Sequence, residues 1–590
     1  MVMPALRKIR WRPGFVTWIR EAQWGLMALA FVVGCGAGLG AVVFRWLVNT
    51  FTELFSGHAD YSAATALGNP RVPWLGVWFV LVAPSIGGAL YGPLVDRFAR
   101  EARGHGVPEV MYAVAQRDGR IPPRVTVIKA LASALCIGSG GSVGREGPIV
   151  QIGAALGSTA GRLLRVPEGR MRSLVACGAA GGIAATFNAP LAGVFFAMEL
   201  ILRDFTVESF GFVVLSSVTA SVVGRSALGD APFLRLPAFH VDHPVQYLMF
   251  AGLGLLAGVA GTAFSGVLYR IEDLCDKVWR GPEWLRPAAG GVVLGGVLLV
   301  LPQLYGVGYP VLENAVDGRY VVGFLLALLV GKILATSLTI GIGGSGGVFA
   351  PSLFIGAMLG AAYGVGLQHL VTPGVSGASG AYALVGMGAV FAAASRAPIT
   401  AVVVLFELTG EYSIILPLML AIVLATLTAR VLSKDSIYTL KLRRRGIDLD
   451  ARAEHGPFAT VPVREVVEAL PSPLPASMPV GDAVPILSRS PHGALPVVGA
   501  DGTYRGTITA RAAAEALTEE ETRRLTVDDL TELPSPITAD MTILQALSIL
   551  VSAPGTGLPV LDERRTAPVG WLTHQRVLQA VHAPAPAQAA

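Results

Sequence analysis

Lys129 to Gly157 align without a gap on Lys332 to Gly360 at a constant offset of 203 positions, with 16 identities in 29. A duplication of that quality constrains the fold more than any single segment, because both halves must build the same local structure and then pack on each other. The matched cores read GSGGSVGREGPIVQIGAALG (138–157) and GIGGSGGVFAPSLFIGAMLG (341–360). A second pair follows, NAPLAGVFFAMEL (188–200) against RAPITAVVVLFEL (396–408), in which Pro190 and Glu199 answer to Pro398 and Glu407. Short apolar segments interrupted by Gly and Pro at corresponding places in two halves point to a transporter-type binding site between the repeats.

The surroundings of these segments are lipid-like. The 590 residues are 53% hydrophobic and 14% charged, too little polar surface to cover one soluble body of that size. Runs such as Trp24 to Val43, Trp74 to Val95, Val245 to Leu268, Ala288 to Leu304 and Val321 to Thr339 reach or approach the length of a membrane-spanning helix. Arg7, Lys8, Arg10, Arg12 and Arg20 precede the first run, and Lys434, Lys441, Arg443, Arg444 and Arg445 follow the last. Basic residues at both flanks place both termini in the cytoplasm of a multi-pass protein of the plasma or inner membrane. They do not suggest nucleic-acid binding, since they flank membrane segments, and many further apolar segments argue against a cleaved signal peptide. Cys35, Cys136, Cys177 and Cys275 lie too far apart to frame a disulfide scaffold or a metal cluster.

Near residue 440 the composition turns soluble. The expected organisation is a cytoplasmic segment 1–22, a membrane domain 23–440 with repeats at about 23–230 and 245–440, a linker 441–457, and two smaller units at 458–518 and 525–584. These last two are also duplicates: Met478 answers to Met541, LPVV (495–498) to LPVL (558–561), and GTIT (506–509) to GWLT (570–573). Each reads as helix, strand, turn, strand, helix. The pattern resembles a pair of cystathionine-β-synthase-type (CBS) domains, which makes the expected fold an all-α membrane domain followed by an α/β cytoplasmic pair.

A Gly-rich turn that opens a helix inside the membrane presents unpaired N–H groups and the positive end of a helix dipole, about half an elementary charge. Stripping an anion of water costs on the order of 20 kcal/mol, so a path for anions needs several such donors converging. For one loop alone, packing through small residues is the commoner explanation. Here the loop is duplicated, and Glu146 sits inside GREGP at the presumed helix start, where an intramembrane carboxylate is a functional candidate. A carboxylate there competes with an anion for the same amides, which is how a gate works.

GHGVP (104–108), GREGP (144–148), GGVFAP (346–351) and Tyr438 in SIYTLKLRRRG resemble the anion-pathway motifs of the CLC family of chloride channels and chloride/proton antiporters. The resemblance implies two inverted-topology repeats of tilted, often broken helices in a homodimer with one pore per subunit. It also implies Glu146 as the gating glutamate. The anion-binding positions would be His105, Gly106, Gly144, Arg145, Gly147, Gly347, Val348, Phe349, Ala350 and Tyr438. Two positions depart from the family. His105 stands where chloride-selective members have serine, so it either donates N–H to the anion or turns away while backbone amides bind it. Leu200 stands where antiporters carry a second acidic residue on the intracellular proton route. The expectation that follows from Leu200 is a voltage-gated chloride channel-type protein that conducts passively. The alternatives are a chloride/proton antiporter and a transporter of another anion such as nitrate or fluoride.

The remaining candidates carry less. His240, Asp242 and His243 sit in a Pro-containing loop and read as loop residues rather than metal ligands. Lys129 and Lys332 recur at one repeat position; a helix-end interface role and snorkelling both fit, with snorkelling the simpler. No HExxH or phosphate loop ending in GK[ST] is present, so neither an enzyme nor a cofactor is expected. Ala512 and Arg576 occupy places where nucleotide-binding CBS domains commonly have an acidic residue, which argues against adenine-nucleotide binding.

Overall fold

The computed structural model describes residues 23–63, 68–229, 243–371, 373–449, 461–518, 525–551, 556–562, 564 and 566–582. The expected N-terminal segment, the linker from 450 to 457, and His240 and Asp242 lie outside these. The chain divides into two units after Gly446.

The membrane unit is helical throughout. Among the described residues, seven helical segments are long and apolar enough to cross a membrane, from Gln23–Ser56 to Ile415–Leu432. Between them lie shorter pieces, including Arg286–Val300, Ser379–Ser395 and Pro398–Thr409. The breaks follow the repeat. Helix Arg124–Gly138 stops before Gly140, whose φ is +113°, and helix Val322–Gly341 stops before its counterpart Gly343, with φ of +98°. The next helices start at Glu146 and Phe349, again 203 positions apart. Both are buried over most of their length. Close backbone approach makes this possible: a methyl group at Gly153 would collide with the carbonyl of Gly178, and one at its counterpart Gly356 with the carbonyl of Gly386. The packing role of the glycines is therefore real and coexists with whatever the loops bind.

The contacts between halves are reciprocal. The Gly144 amide donates to the Gly347 carbonyl at 2.8 Å and the Gly347 amide to the Gly144 carbonyl at 2.6 Å. These residues are themselves repeat partners (144 + 203 = 347), so the two-fold relation between halves runs through this pair. The half-buried pair Glu199 and Glu407 obeys the same rule. Glu199 accepts from the amides of Ile399 at 3.2 Å and Thr400 at 2.8 Å, at the start of helix Pro398–Thr409. Glu407 accepts from the amides of Leu191 at 2.9 Å and Ala192 at 2.6 Å, at the start of helix Pro190–Phe196. Each carboxylate caps orphan N–H groups of the opposite half.

The second unit holds two three-stranded sheets. Strands β1 (Leu474–Pro475), β2 (Ala494–Val498) and β3 (Tyr504–Thr509) pair in that order, β1 parallel and β3 antiparallel to β2. Strands β4 (Ile537–Thr538), β5 (Gly557–Leu561) and β6 (Pro568–Thr573) repeat the arrangement. The two-residue strands β1 and β4 add to the expected pattern; they are too short to leave an alternating signal. Each core is filled by counterparts: Leu474, Val480, Leu487 and Val497 in one, Ile537, Ile543, Leu550 and Val560 in the other. The leading segments are exchanged. Val463 packs in the second core and Val527 in the first, so neither 458–518 nor 525–584 encloses its own core.

Candidate anion site and its gate

Three Gly-rich loops meet at the two-fold relation. Besides the Gly144–Gly347 pair, the Gly104 amide donates to the Gly344 carbonyl at 3.0 Å and the Gly346 amide to the Gly104 carbonyl at 3.3 Å. Loops need buried partners for their remaining carbonyls, and two lysines supply them. Lys129 Nζ donates to the carbonyls of Ala102 at 2.9 Å and Gly104 at 2.7 Å. Lys332 Nζ donates to the carbonyls of Gly306 and Val307, both at 3.1 Å, and to Ser142 Oγ at 3.0 Å. Both side chains are fully buried, so the snorkelling expectation fails. The ammonium groups point inward because two carbonyls await Lys129, and two carbonyls and a hydroxyl await Lys332. Ser345 Oγ on the carbonyl of Ala102 at 2.7 Å and Thr336 Oγ1 on that of Ser142, also at 2.7 Å, complete the frame.

Glu146 opens helix Glu146–Leu163 and is buried. Its carboxylate crosses to the second repeat. Oε2 lies 3.4 Å from the amide of Ala350, in the first turn of helix Phe349–Leu370, and Oε1 accepts from Tyr309 Oη at 2.6 Å. The carboxylate thus sits at the N-terminal end of the very helix whose amides are the anion candidates.

Of the expected donors, Gly144 and Gly347 drop out: each amide is spent on the other's carbonyl, which leaves these residues as frame. Val348, Phe349 and Ala350 stand at the helix start facing Glu146. The Phe349 ring packs against Phe187, Phe196 and Phe391, with centroids 5.4, 6.4 and 4.4 Å away, so only its backbone is available to an anion. Gly147 and Gly106 lie close together: a Cβ on Gly106 would stand 2.9 Å from the Gly147 carbonyl oxygen, and Gly106 has φ of +83°. His105 is buried between Tyr269 and Tyr438, ring centroids 6.2 and 6.5 Å away, and its Nε2 has no hydrogen-bond partner among the described residues. Arg145 is directed elsewhere. Its guanidinium lies 5.1 Å over the Tyr309 ring and lines a cavity of about 310 Å³ with Arg45, Asp60 and Arg225.

Leu200 is buried in the π-helical turn Ala197–Leu202, and the neighbouring Glu199 has both oxygens engaged in the cap described above. Thr400 Oγ1 adds a third hydrogen bond to Glu199 at 2.7 Å. Tyr309 was not among the expected site residues. A signal for it exists: GVGYP (306–310) answers to GHGVP (104–108) at an offset of 202. Among the described residues no group of three metal-ligating side chains occurs.

A family profile described as "Voltage gated chloride channel" matches residues 87–430, and a CBS domain profile matches residues 461–519. A putative chloride channel protein, ClcB-like, from Ralstonia nicotianae is 35% identical over 72% of this chain and 98% of its own length. The H(+)/Cl(-) exchange transporter ClcA from Vibrio cholerae is 35% identical over 72% of this chain and 90% of its own. Among solved structures, a slow cyanobacterial Cl-/H+ antiporter superposes with a TM-score of 0.63 at 29% identity, over 72% of this chain and 99% of that one. A eukaryotic CLC transporter, 22% identical with a TM-score of 0.61, shares the fold over 95% of this chain and 98% of its own. The chain therefore belongs to the CLC family of voltage-gated chloride channels and transporters and carries CBS-type sheets after its membrane domain.

Proposed function

We propose that the protein exchanges chloride for protons, with Glu146 as the gate of the anion path and Val348, Phe349 and Ala350 as the amides the gate competes for. The carrying observation is the Glu146 carboxylate resting at the Ala350 amide, a carboxylate from one repeat in the anion nest of the other. Passive conduction, suggested by Leu200, is the weaker reading, because relatives similar over nearly their whole length are named exchangers. A fluoride/proton antiporter, 25% identical with a TM-score of 0.58, keeps other halides among the candidate cargoes.

Exchange without an acidic residue at position 200 needs another inner proton acceptor. Glu199 is committed to its cap, whereas His105 has an open Nε2 near the inner anion site. Its charged surroundings are Lys129, Lys441 and Arg445. We assign the relay to His105, which an aliphatic neighbour cannot replace. In proteoliposomes, an imposed chloride gradient should drive protons uphill, and His105→Ser should remove that pumping while chloride flux persists. A wild-type protein whose reversal potential follows chloride alone would return the reading to a channel.

The protein acts as a homodimer in the plasma or inner membrane with both termini cytoplasmic in this reading. Exposed Leu191, Ile399, Leu416, Met419 and Val423 around the capped helices offer an apolar face for the second subunit or for lipid. Cross-linking in native membranes separates the two.

A further inference from the structure

We propose that Tyr309 is a positioning residue for the gate: its hydroxyl latches the Glu146 carboxylate into the amide nest of the second repeat. This rests on the reading of Glu146 as gate. The geometry favours the tyrosine as the stronger of these two hydrogen bonds, 2.6 Å from Oη to Oε1 against 3.4 Å from the Ala350 amide to Oε2. A hydroxyl donating to a carboxylate is about twice as strong as a neutral pair.

The donor is anchored on three sides. Gly308, with φ of +88°, turns the chain against the Phe354 ring, and Pro310 pins the first turn of helix Tyr309–Val316. The two carbonyls before that turn, Gly306 and Val307, are held by buried Lys332. The Arg145 guanidinium covers the ring. A hydroxyl so fixed keeps its place whether the carboxylate is docked or not. The same residue forms part of the wall of the cavity lined by Arg45, Asp60, Arg145 and Arg225.

The repeat supplies an independent argument. At an offset of 202 the counterpart of Tyr309 is Val107, and the lysine that anchors each loop is retained on both sides. The hydroxyl was therefore added in one half only, the half that receives Glu146.

The test uses the full chain in proteoliposomes, with chloride efflux measured for Tyr309→Phe, Glu146→Ala and the double variant over pH 4.5 to 8. The charged and titratable groups facing Glu146 are Arg145, Tyr309, Lys332 and Tyr438. Phenylalanine keeps the ring under Arg145 and removes the hydroxyl, with its donation to Glu146 and its contact with Arg145. Efflux at pH 7.5 should rise about threefold to tenfold, and the acid-activated midpoint should move up by about one pH unit. In the Glu146→Ala background the same substitution should change nothing. If Glu146→Ala leaves efflux and its pH profile at wild type, the gate reading fails and the latch with it. If Glu146→Ala speeds efflux but Tyr309→Phe does not, or acts equally in both backgrounds, the latch alone is overturned. Tyr309→Met is carried through the same series should phenylalanine prevent purification.

Discussion

The molecule contains two duplications, and they have diverged to different extents. In the C-terminal unit, counterparts stay alike: Leu474 and Ile537, Val480 and Ile543, Leu487 and Leu550, Val497 and Val560 fill equivalent places, and a register shift recurs after Val497 and Val560. In the membrane unit the frame is equally well kept, through Lys129 and Lys332, Gly144 and Gly347, Glu199 and Glu407. There the residues next to the frame part company: Arg145 and Glu146 oppose Val348 and Phe349, and Val107 opposes Tyr309. A symmetric frame lets two halves pack without unsatisfied polar groups. At these positions the asymmetry sets a carboxylate of one half against the helix-start amide of the other.

The comparison breaks most visibly at Glu146, the proposed gate. Glu146→Gln retains the shape and removes the charge, so anion flux should lose most of its pH dependence and proton exchange should be abolished; parallel chloride and proton flux recordings decide. An unchanged pH profile would mean that the asymmetry at 146 and 349 is not the functional one.

The frame should respond symmetrically. Lys129→Met and Lys332→Met each strand two buried carbonyls, and each should cost about 3 kcal/mol or more, read as lost thermal stability of the detergent-solubilised protein. A large loss for one and none for the other would show that the two clamps are not equivalent.

The exchanged segments of the C-terminal unit sharpen the comparison at smaller magnitude. Val463 and Val527 are each fully buried in the other's core, so Val463→Ala and Val527→Ala should each lower stability by about 2 kcal/mol. Hydrogen exchange on the full chain should show deprotection spreading through both sheets in each variant. Deprotection confined to one sheet would sink the exchange. The smallest effect expected is none at all. Thr509 and Thr573 hydroxyls accept from the amides of Ala512 and Arg576, each at 3.1 Å, and no acidic side chain stands at either place. Calorimetry with ATP and AMP on the full chain should detect no micromolar binding.

Much of this was legible along the chain. Internal repeats located the two loops, the two capped helices and the paired C-terminal units, because an internal duplication repeats local structure at nearly fixed spacing. Glu146 was legible as an acidic residue in an apolar run. Tyr309 was not, since one hydroxyl in GVGYP resembles any other until the loop folds back 163 residues to reach Glu146. Lys129 and Lys332 were read toward the membrane surface for the same reason: hydropathy reports the side chain, not the carbonyls waiting for it.

By itself the sequence determined that the chain lives in lipid, that each of its two parts is built twice, and that glycines and a glutamate occupy the likeness to an anion path. The tertiary structure decided which amides remain available, as Gly144 and Gly347 satisfy each other, and that Glu199 is held in a cap, leaving His105 with an open ring nitrogen. The physical reason is that hydrogen-bond capacity is finite: a residue type states what a group can donate or accept, and only packing states where that capacity has already been used.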